Sequence, residues 1–250
     1  MVSVIMPSHN SGSTLETAVR SVLNQTYDNL ELIIVDNGSI ISPELSDDIL
    51  SDGRVRLIEY AEVLGAAEAR NIGVSEAKGD LIAYLDSDDY WAPDKLEKQI
   101  KVMNRFRRNA KAPAIVFSGR EIIDEEGNDT GHYIGCEKVV DYKLLLKSNQ
   151  INCSSVLLKK DYALKYPFPD GDFHEDYAVW LSILREGGYA AGINRPLLFY
   201  RSSHSSKSGN KAKSAIMTFK VYRYIGLGVP ASILQMFSYT IRGFKKHYFH

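Results

Sequence analysis

The chain has 250 residues, of which 44% are hydrophobic and 24% charged, with 18 Gly and 8 Pro. This composition excludes disordered, collagen-like and low-complexity proteins, and the length predicts one large α/β domain with an appendage. The net charge of -1 hides an asymmetry, because residues 187–250 contain ten basic and no acidic residues, which leaves -11 in residues 1–186. Such segregation indicates a polyanionic or membrane partner, or a basic tail that folds onto an acidic body.

Short apolar runs alternate with helical patterns along the first hundred residues, which is typical of a parallel sheet with crossover helices. Strands are predicted over residues 2–6, 30–35, 55–59 and 81–85. A capping box at residues 13–16, Ser-Thr-Leu-Glu, predicts a helix that ends near residue 25. Further helices are predicted over residues 66–77 and 93–108, the second with a proline in its first turn.

Polar turns follow three of the predicted strands. They are residues 7–10 (Pro-Ser-His-Asn), 36–39 (Asp-Asn-Gly-Ser) and 86–89 (Asp-Ser-Asp-Asp). In open α/β sheets the ligand binds beyond the carboxyl ends of the strands, so these turns are expected to converge on one site. No GxGxxG or GxxxxGK[ST] motif follows a strand, which argues against Rossmann dinucleotide binding and P-loop chemistry.

The turn at residues 86–89 places three carboxylates within four residues. Alternate carboxylates, those of Asp86 and Asp88, can share a hard divalent cation whose shell is completed by diphosphate oxygens. The alternative is that these aspartates form a turn and cap the following helix, where Asp is favoured in any case.

Six motifs occur in order along about residues 1–205. They are residues 2–10 (VSVIMPSHN), 21–27 (SVLNQTY), 32–39 (LIIVDNGS), 69–73 (ARNIG), 79–89 (GDLIAYLDSDD) and 174–177 (HEDY). Together they resemble the family 2 glycosyltransferases of bacterial surface-polysaccharide synthesis. The resemblance implies a GT-A fold, a single nucleotide-binding α/β domain with a mostly parallel central sheet flanked by helices. We assign residues 1–208 to this domain and residues 209–250 to a basic, aromatic, helical C-terminal segment.

The resemblance also implies which residues bind the nucleotide-sugar. Asp36 would accept a hydrogen bond from the base, expected to be uracil, and Arg70 would lie near the base and the diphosphate. Pro7 and His9 would line the base pocket, although relatives more often have Tyr at the position of His9. Further contacts are expected from residues of the same turns, namely Ser8, Asn10 and Ser87.

A divalent metal, Mn²⁺ or Mg²⁺, is the cofactor that the resemblance implies. Asp86 would contact the ribose or the metal, and Asp88 would bind the metal directly where it bridges the diphosphate. His204 would be a third contact to metal or diphosphate; a lone histidine in a serine-rich loop can equally be a solvated side chain.

Glu175 and Asp176 open a predicted helix, where acidic residues are also favoured by the helix dipole. By the resemblance Asp176 is the catalytic base that takes the proton from the acceptor hydroxyl, and Glu175 orients the loop or the acceptor. The implied enzyme is an inverting, metal-dependent glycosyltransferase. Its donor would be a nucleotide-sugar, expected to be a UDP-sugar, and its acceptor a glycan or lipid-linked hydroxyl in cell-surface polysaccharide synthesis.

The sequence argues against three other functions. A glycosidase needs carboxylates on opposite sides of the scissile bond, and neighbours on a helix do not face a common target. A nucleotidyltransferase acting on sugar phosphates would need a basic loop early in the chain, and residues 7–19 contain no basic side chain except His9. A non-catalytic sugar-nucleotide-binding protein would have no use for Asp176.

The C-terminal segment suggests where the protein works. Residues 224–241 carry no charge, but glycines, a proline and polar residues make them too polar for a transmembrane helix. With basic flanks and interleaved aromatics they predict reversible attachment to an anionic membrane surface, or else packing onto the acidic body. No nucleic-acid-binding pattern occurs, so no nucleic acid partner is expected. Two cysteines without ligand spacing, Cys136 and Cys153, predict a cytoplasmic protein. If the C-terminal segment binds lipid, the protein would be peripheral on the cytoplasmic face of the inner membrane.

Overall fold

The structure, a computed structural model, describes residues 1–41, 45–105, 112–202 and 211–248, with the backbone alone at residue 211 and over 241–248. The strands in chain order are β1 Val2–Ser8, β2 Leu30–Asn37, β3 Val55–Tyr60, β4 Leu81–Tyr84, β5 Tyr90–Trp91, β6 Ile115–Ile123, β7 Asp129–Ile134, β8 Val139–Val140, β9 Leu157–Lys159 and β10 Ala190–Arg201. The helices are α1 Thr14–Leu23, α2 Asp47–Leu50, α3 Ala66–Glu76, α4 Lys95–Arg105, α5 Tyr142–Lys147, α6 Lys160–Lys165, α7 Glu175–Arg185, α8 Lys211–Tyr224 and α9 Val229–Tyr248.

The described strands form one sheet with the order β3-β2-β1-β4-β9-β6-β10-β5, while β7 pairs with β6 and β8 with β10. The four strands expected from the sequence are mutually parallel, in register Val2↔Leu30 and Val2↔Leu81 at the central strand. Strands β6 and β10 are also parallel. The short strands β5, β7, β8 and β9 pair antiparallel, and β9 joins the two parallel halves. The predicted α/β sheet is therefore confirmed, with a mixed second half.

The two faces of the central strand serve two different cores. Val2, Val4 and Met6 pack with the buried side of α1, whereas Ile5 points to the core that includes α3. Alternate residues of a strand point to opposite faces, so an uninterrupted apolar run is what a strand covered on both sides needs. This explains why β1 and β2 are buried along their whole length.

Helix α3 lies unusually close to this central strand. A Cβ atom added to Gly73 would collide with the side chain of Ile5, so the approach depends on the missing side chain of glycine. Because α3 also carries Arg70, this contact sets how far that side chain stands from the end of the sheet.

The capping box expected at residues 13–16 is wrong. Within the described segment Ser13 makes no side-chain cap hydrogen bond, because it has helical dihedral angles rather than the extended ones of an N-cap. Thr14 instead donates its amide and its hydroxyl to the carbonyl of Ser11, and Glu16 pairs with Arg20 one turn on. Helix α4 begins at Lys95, and residues 106–108 of the helix predicted over 93–108 lie outside the described residues.

The C-terminal helices pack on the domain. Tyr222 of α8 is buried and donates its hydroxyl to the carbonyl of Leu146, 2.6 Å away, and Arg185 of α7 reaches the carbonyl of Ile225 at 2.7 Å. The inner face of α8 thus belongs to the core that contains α7. The boundary expected between residues 208 and 209 lies outside the described residues.

Candidate active site

A cavity of about 740 Å³ opens at the carboxyl ends of β1 and β4, where the sequence predicted a site. Its walls come from the turns after these strands, the start of α7, residues 149–153, and one side of α8 and α9. This volume lies in the range of small-molecule sites. Of the predicted site residues, those that line it are Pro7, Ser8, His9, Asn10, Arg70, Asp86, Ser87, Asp88, Glu175 and Asp176.

Hydroxyl groups connect the two turns that form the floor. The Oγ atoms of Ser8 and Ser11 lie 3.0 Å apart, and those of Ser11 and Ser87 lie 2.6 Å apart. Parallel strands end at the same edge, which brings residues so distant in sequence together. The predicted convergence of the first and third turns is therefore present in the structure.

His9 and Asn10 tie the first turn to the second. The carbonyl of Asn37 lies 2.7 Å from Nδ1 of His9, so that nitrogen donates, and Nε2 accepts from the Asn10 amide 2.9 Å away. Asn10 has a positive φ of 50° and its side-chain oxygen accepts from the amide of Ile40. Both side chains border the cavity with their orientations already set by these bonds.

Asp36, the residue predicted to bind the base, is hydrogen-bonded within the second turn. Its carboxylate is buried and accepts hydrogen bonds from the hydroxyl and the amide of Ser39. Asp36 is not among the described residues that line the cavity. The neighbouring Asn37 does line it, and the side-chain oxygen of Asn37 accepts the amides of Leu64 and Gly65. The base-binding role of Asp36 stays a prediction, and binding there would have to compete with Ser39.

Arg70 is buried behind the cavity and joins two of its walls. Its Nη2 lies 2.7 Å from Oδ1 of Asp86, its Nη1 lies 3.0 Å from Oε1 of Glu175, and its guanidinium stands over the ring of Phe168. Two carboxylates thus engage this cation. Its expected contact with base and diphosphate stays a prediction.

The aspartates of the third turn have three different environments. Asp86 pairs with Arg70, while Asp88 is exposed to the cavity. Asp89 is buried and accepts the amide of Arg201 at 2.9 Å, which fastens the turn to β10. Desolvation and the negative charge of Asp86 raise the pKa of Asp88. The sequence pattern alone did not distinguish these three roles.

Asp176 lines the cavity in the first turn of α7 and accepts the amide of Tyr177 at 2.7 Å. Desolvation, followed by the negative charge of Glu175, raises the pKa of Asp176 to about 7. A carboxylate with such a pKa holds protons far more tightly than an ordinary aspartate does. It is therefore suited to accept a proton from a substrate near neutral pH.

A divalent cation fits the donor set that the cavity offers. Asp86 and Asp88 supply hard oxygen ligands. Desolvation and the negative charge of Asp86 raise the pKa of Asp88, and a bound cation would offset both effects. Across the described ranges no group of three or more His, Cys, Asp or Glu could hold a metal. His204, expected as a third contact, lies outside the described residues.

Several cavity residues carried no recognised signal in the sequence. Arg120 on β6 and Tyr200 on β10 form one wall, with the Arg120 guanidinium 5.6 Å from the Tyr200 ring centre. Burial and the negative charge of Asp89 raise the pKa of Tyr200 to about 12. The other wall includes amides and hydroxyls from three elements, namely Asn149, Gln150, Asn152, Ser214 and Tyr239. Arg120 follows the apolar run of β6, where an arginine is uncommon, and this was the one available clue to it.

Comparisons with known proteins agree with this geometry. The profile described as "Glycosyl transferase family 2" matches residues 3–162. The chain is 37% identical to the UDP-Glc:alpha-D-GlcNAc-diphosphoundecaprenol beta-1,3-glucosyltransferase WfgD of Escherichia coli, over 252 residues that cover 100% of this chain and 96% of that protein.

Solved structures share the fold. The crystal structure of S. aureus TarS 1-349 in complex with UDP-GlcNAc superposes with a TM-score of 0.72 at 14% identity, covering 98% of this chain and 72% of that one. The mannosyltransferase PcManGT from Pyrobaculum calidifontis, in complex with GDP-Man and Mn²⁺, gives a TM-score of 0.61 at 19% identity, covering 95% and 68%. The chain therefore has the GT-A fold expected from the sequence.

Proposed function

This chain belongs to glycosyl transferase family 2, and we propose that it is an inverting, metal-dependent enzyme of cell-surface polysaccharide synthesis. It would move a sugar from a nucleotide-diphosphate donor, expected to be a UDP-sugar, to a hydroxyl of a glycan or lipid-linked acceptor. The donor and acceptor classes in the name of WfgD, a relative that this chain covers over 96% of its length, support this assignment. The family match decides against the nucleotidyltransferase alternative.

The observation that carries the proposal is the position of Asp88 and Asp176 in one cavity, on different elements. Asp88 lies in the turn that follows β4, where a diphosphate would bind, and Asp176 lies in the first turn of α7. In the proposed reaction Asp176 accepts the proton of the acceptor hydroxyl while the hydroxyl oxygen bonds to the anomeric carbon. The bond from that carbon to the diphosphate oxygen breaks, and the nucleoside diphosphate leaves with the electron pair. Attack opposite the leaving group inverts the anomeric centre.

Asp88, with Asp86 beside it, would hold Mg²⁺ or Mn²⁺ at the diphosphate. When bound, the ion neutralises the charge that develops on the leaving group. Arg70 keeps Asp86 in place from behind, and Glu175 is held by the same guanidinium. The pairing leaves Asp88 as the carboxylate of the turn that is exposed to the cavity.

A donor screen with Asp88→Asn tests the function. The purified chain is incubated with UDP-glucose and other nucleotide-sugars, a diphospholipid-linked N-acetylglucosamine acceptor and Mg²⁺ or Mn²⁺, and the product anomer is read by NMR. Inverted product that disappears with EDTA and with Asp88→Asn is expected. Asp94→Asn, a substitution of a surface aspartate paired with Lys98, is the matched control and should retain activity. Retained configuration, or full activity of Asp88→Asn, contradicts the mechanism.

The outer surface of α8 and α9 supports attachment of the enzyme to the cytoplasmic face of a membrane. Leu234 is 67% exposed and Phe237 65% exposed. The exposed apolar residues of α9 recur on one helical face, at Val229, Ile233, Leu234 and Phe237. The opposite face packs on the core through Met236 and Tyr239. The C-terminal segment, residues 209–250, carries seven basic and no acidic residues, so its apolar face suits an anionic lipid surface. The other side of the same helices borders the cavity.

Co-sedimentation with vesicles tests this attachment. We expect the chain to bind phosphatidylglycerol-containing vesicles at low salt, less at high salt, and not phosphatidylcholine vesicles. Leu234→Glu with Phe237→Glu should abolish binding, whereas Ile40→Glu, at a residue 90% exposed outside these helices, should not. A chain that stays in the supernatant, or that dimerises through this face instead, overturns the attachment. Among the described residues no helix is both long and apolar enough to span a bilayer.

A further inference from the structure

Arg120 is a cation in the cavity wall that lacks a counter-ion among the described residues. Its Nε is buried without a hydrogen-bond partner, and no carboxylate of the described ranges forms a salt bridge with it. Arg70, the other arginine of the cavity, has two carboxylate partners. A buried polar atom without a partner costs stability, so a bound ligand that accepts a hydrogen bond from this guanidinium would remove that cost.

The surroundings of Arg120 are negative without being paired to it. The charges of Asp89 and Asp176 act on its guanidinium, and burial lowers the pKa of Arg120. Arg120 lies on β6, and the aspartate turn follows β4. The sheet order β4-β9-β6 separates these two strands by one strand, so they lie roughly 10 Å apart. Arg120 and Asp88 therefore approach the cavity from two sides.

We propose that Arg120 binds the oxygens of a diphosphate in this cavity, a contact that rests on the proposed glycosyl transfer and adds a residue to it. A guanidinium presents a planar fork of donors that matches phosphate oxygens, and the ring of Tyr200 restricts its plane. The diphosphate belongs either to the nucleotide donor or to a lipid-linked acceptor. The chemistry is the same in both, and the source is decided by experiment.

The donor arm measures binding rather than turnover, so it does not depend on knowing the sugar. UDP with Mg²⁺ is titrated into the wild type, Arg120→Gln and Arg120→Lys by calorimetry, and uridine, which lacks phosphates, is titrated by NMR. If the donor is the source, Arg120→Gln weakens UDP binding by on the order of 10- to 100-fold and leaves uridine unchanged. Arg120→Lys restores part of the affinity, because it keeps the charge and loses the fork.

The acceptor arm uses a short-chain polyprenyl diphospho-N-acetylglucosamine and, as control, octyl N-acetylglucosaminide without phosphate. If the acceptor is the source, Arg120→Gln weakens the first selectively and leaves UDP unchanged. Unchanged affinity for both diphosphates overturns the inference. Failure of the wild type to bind UDP, GDP or dTDP would contradict the proposed donor class instead, and the acceptor arm would still test Arg120. The melting temperature of Arg120→Gln should match or exceed that of the wild type, since a structural arginine would lower it on removal.

Discussion

Nη1 of Arg70 lies 3.0 Å from Oε1 of Glu175, although 105 positions separate the two residues. The same guanidinium lies 2.7 Å from Asp86 on the turn after β4. One buried cation therefore connects the metal-binding side of the proposed site to the helix that carries the proposed base. Arg70 lies on α3, and the close contact of Gly73 with Ile5 fixes the distance of this helix from β1. The positions of the two acidic motifs are consequently coupled.

Arg70→Met should destabilise the protein strongly. Removing the guanidinium leaves Asp86 and Glu175 without their cation in a partly buried place, and breaking a buried pair in this way typically costs about 3 kcal/mol or more. Urea unfolding measures the loss. Lys165→Met breaks a more exposed pair with Glu186 and should cost less than about 1 kcal/mol. Equal losses in the two variants would show that Arg70 has no special role.

Asp176 should set the lower limb of the pH–rate profile. The raised pKa of about 7 means that the carboxylate becomes a competent base only as the pH rises through neutrality. We expect kcat/KM to increase between about pH 6 and pH 8 and then to level off. Asp176→Asn should lower the rate by on the order of 10² to 10⁴ while donor binding is kept. A rate in the variant close to that of the wild type would assign the base elsewhere.

The same residue should limit stability. Between the unfolded pKa of 3.8 and the folded pKa of about 7 the native state holds a proton that the unfolded chain has released. As the pH rises through this window, the free energy of unfolding of the wild type therefore falls relative to that of Asp176→Asn, by up to about 1.4 kcal/mol per pH unit. Thermal unfolding at pH 4 and pH 8 measures it. The variant should gain at pH 8 and show little difference at pH 4; a loss of stability at pH 8 would contradict the desolvation argument.

Gly73→Ala should destabilise the sheet–helix contact. The added methyl group collides with Ile5 in a core packed on both sides, and overpacking of this kind typically costs about 1 to 3 kcal/mol. Intrinsic helix propensity alone would favour Ala over Gly by about 1 kcal/mol. A lower free energy of unfolding in the variant therefore indicates the collision, and a higher one indicates helix propensity. Gly53→Ala, at a glycine with open space around it, is the control for a methyl group without a neighbour. Denaturant unfolding of both variants decides between collision and propensity.

Local patterns in the sequence were sufficient for the parallel half of the fold. The apolar runs at β1, β2, β3 and β4 need cover on both faces, and the helical pattern over residues 66–77 supplies one such layer. Parallel strands end at one edge, so the turns at residues 7–10 and 86–89 had to meet. The family motifs then identified Asp88 and Asp176 as residues of one site, which the cavity now contains.

Only the tertiary structure decided what each polar residue does there. Residues from other parts of the chain pair with two of the three aspartates. Asp86 forms an ion pair with Arg70, Asp89 accepts the backbone amide of Arg201, and Asp88 is exposed to the cavity. Arg120 lies in no recognised motif, and its proposed role depends on carboxylates and an aromatic ring that other elements bring close to it. A short motif specifies which residue types stand together, whereas desolvation and pairing depend on every element that packs against them. The pKa of Asp176 and the solitary charge of Arg120 are properties of that packing.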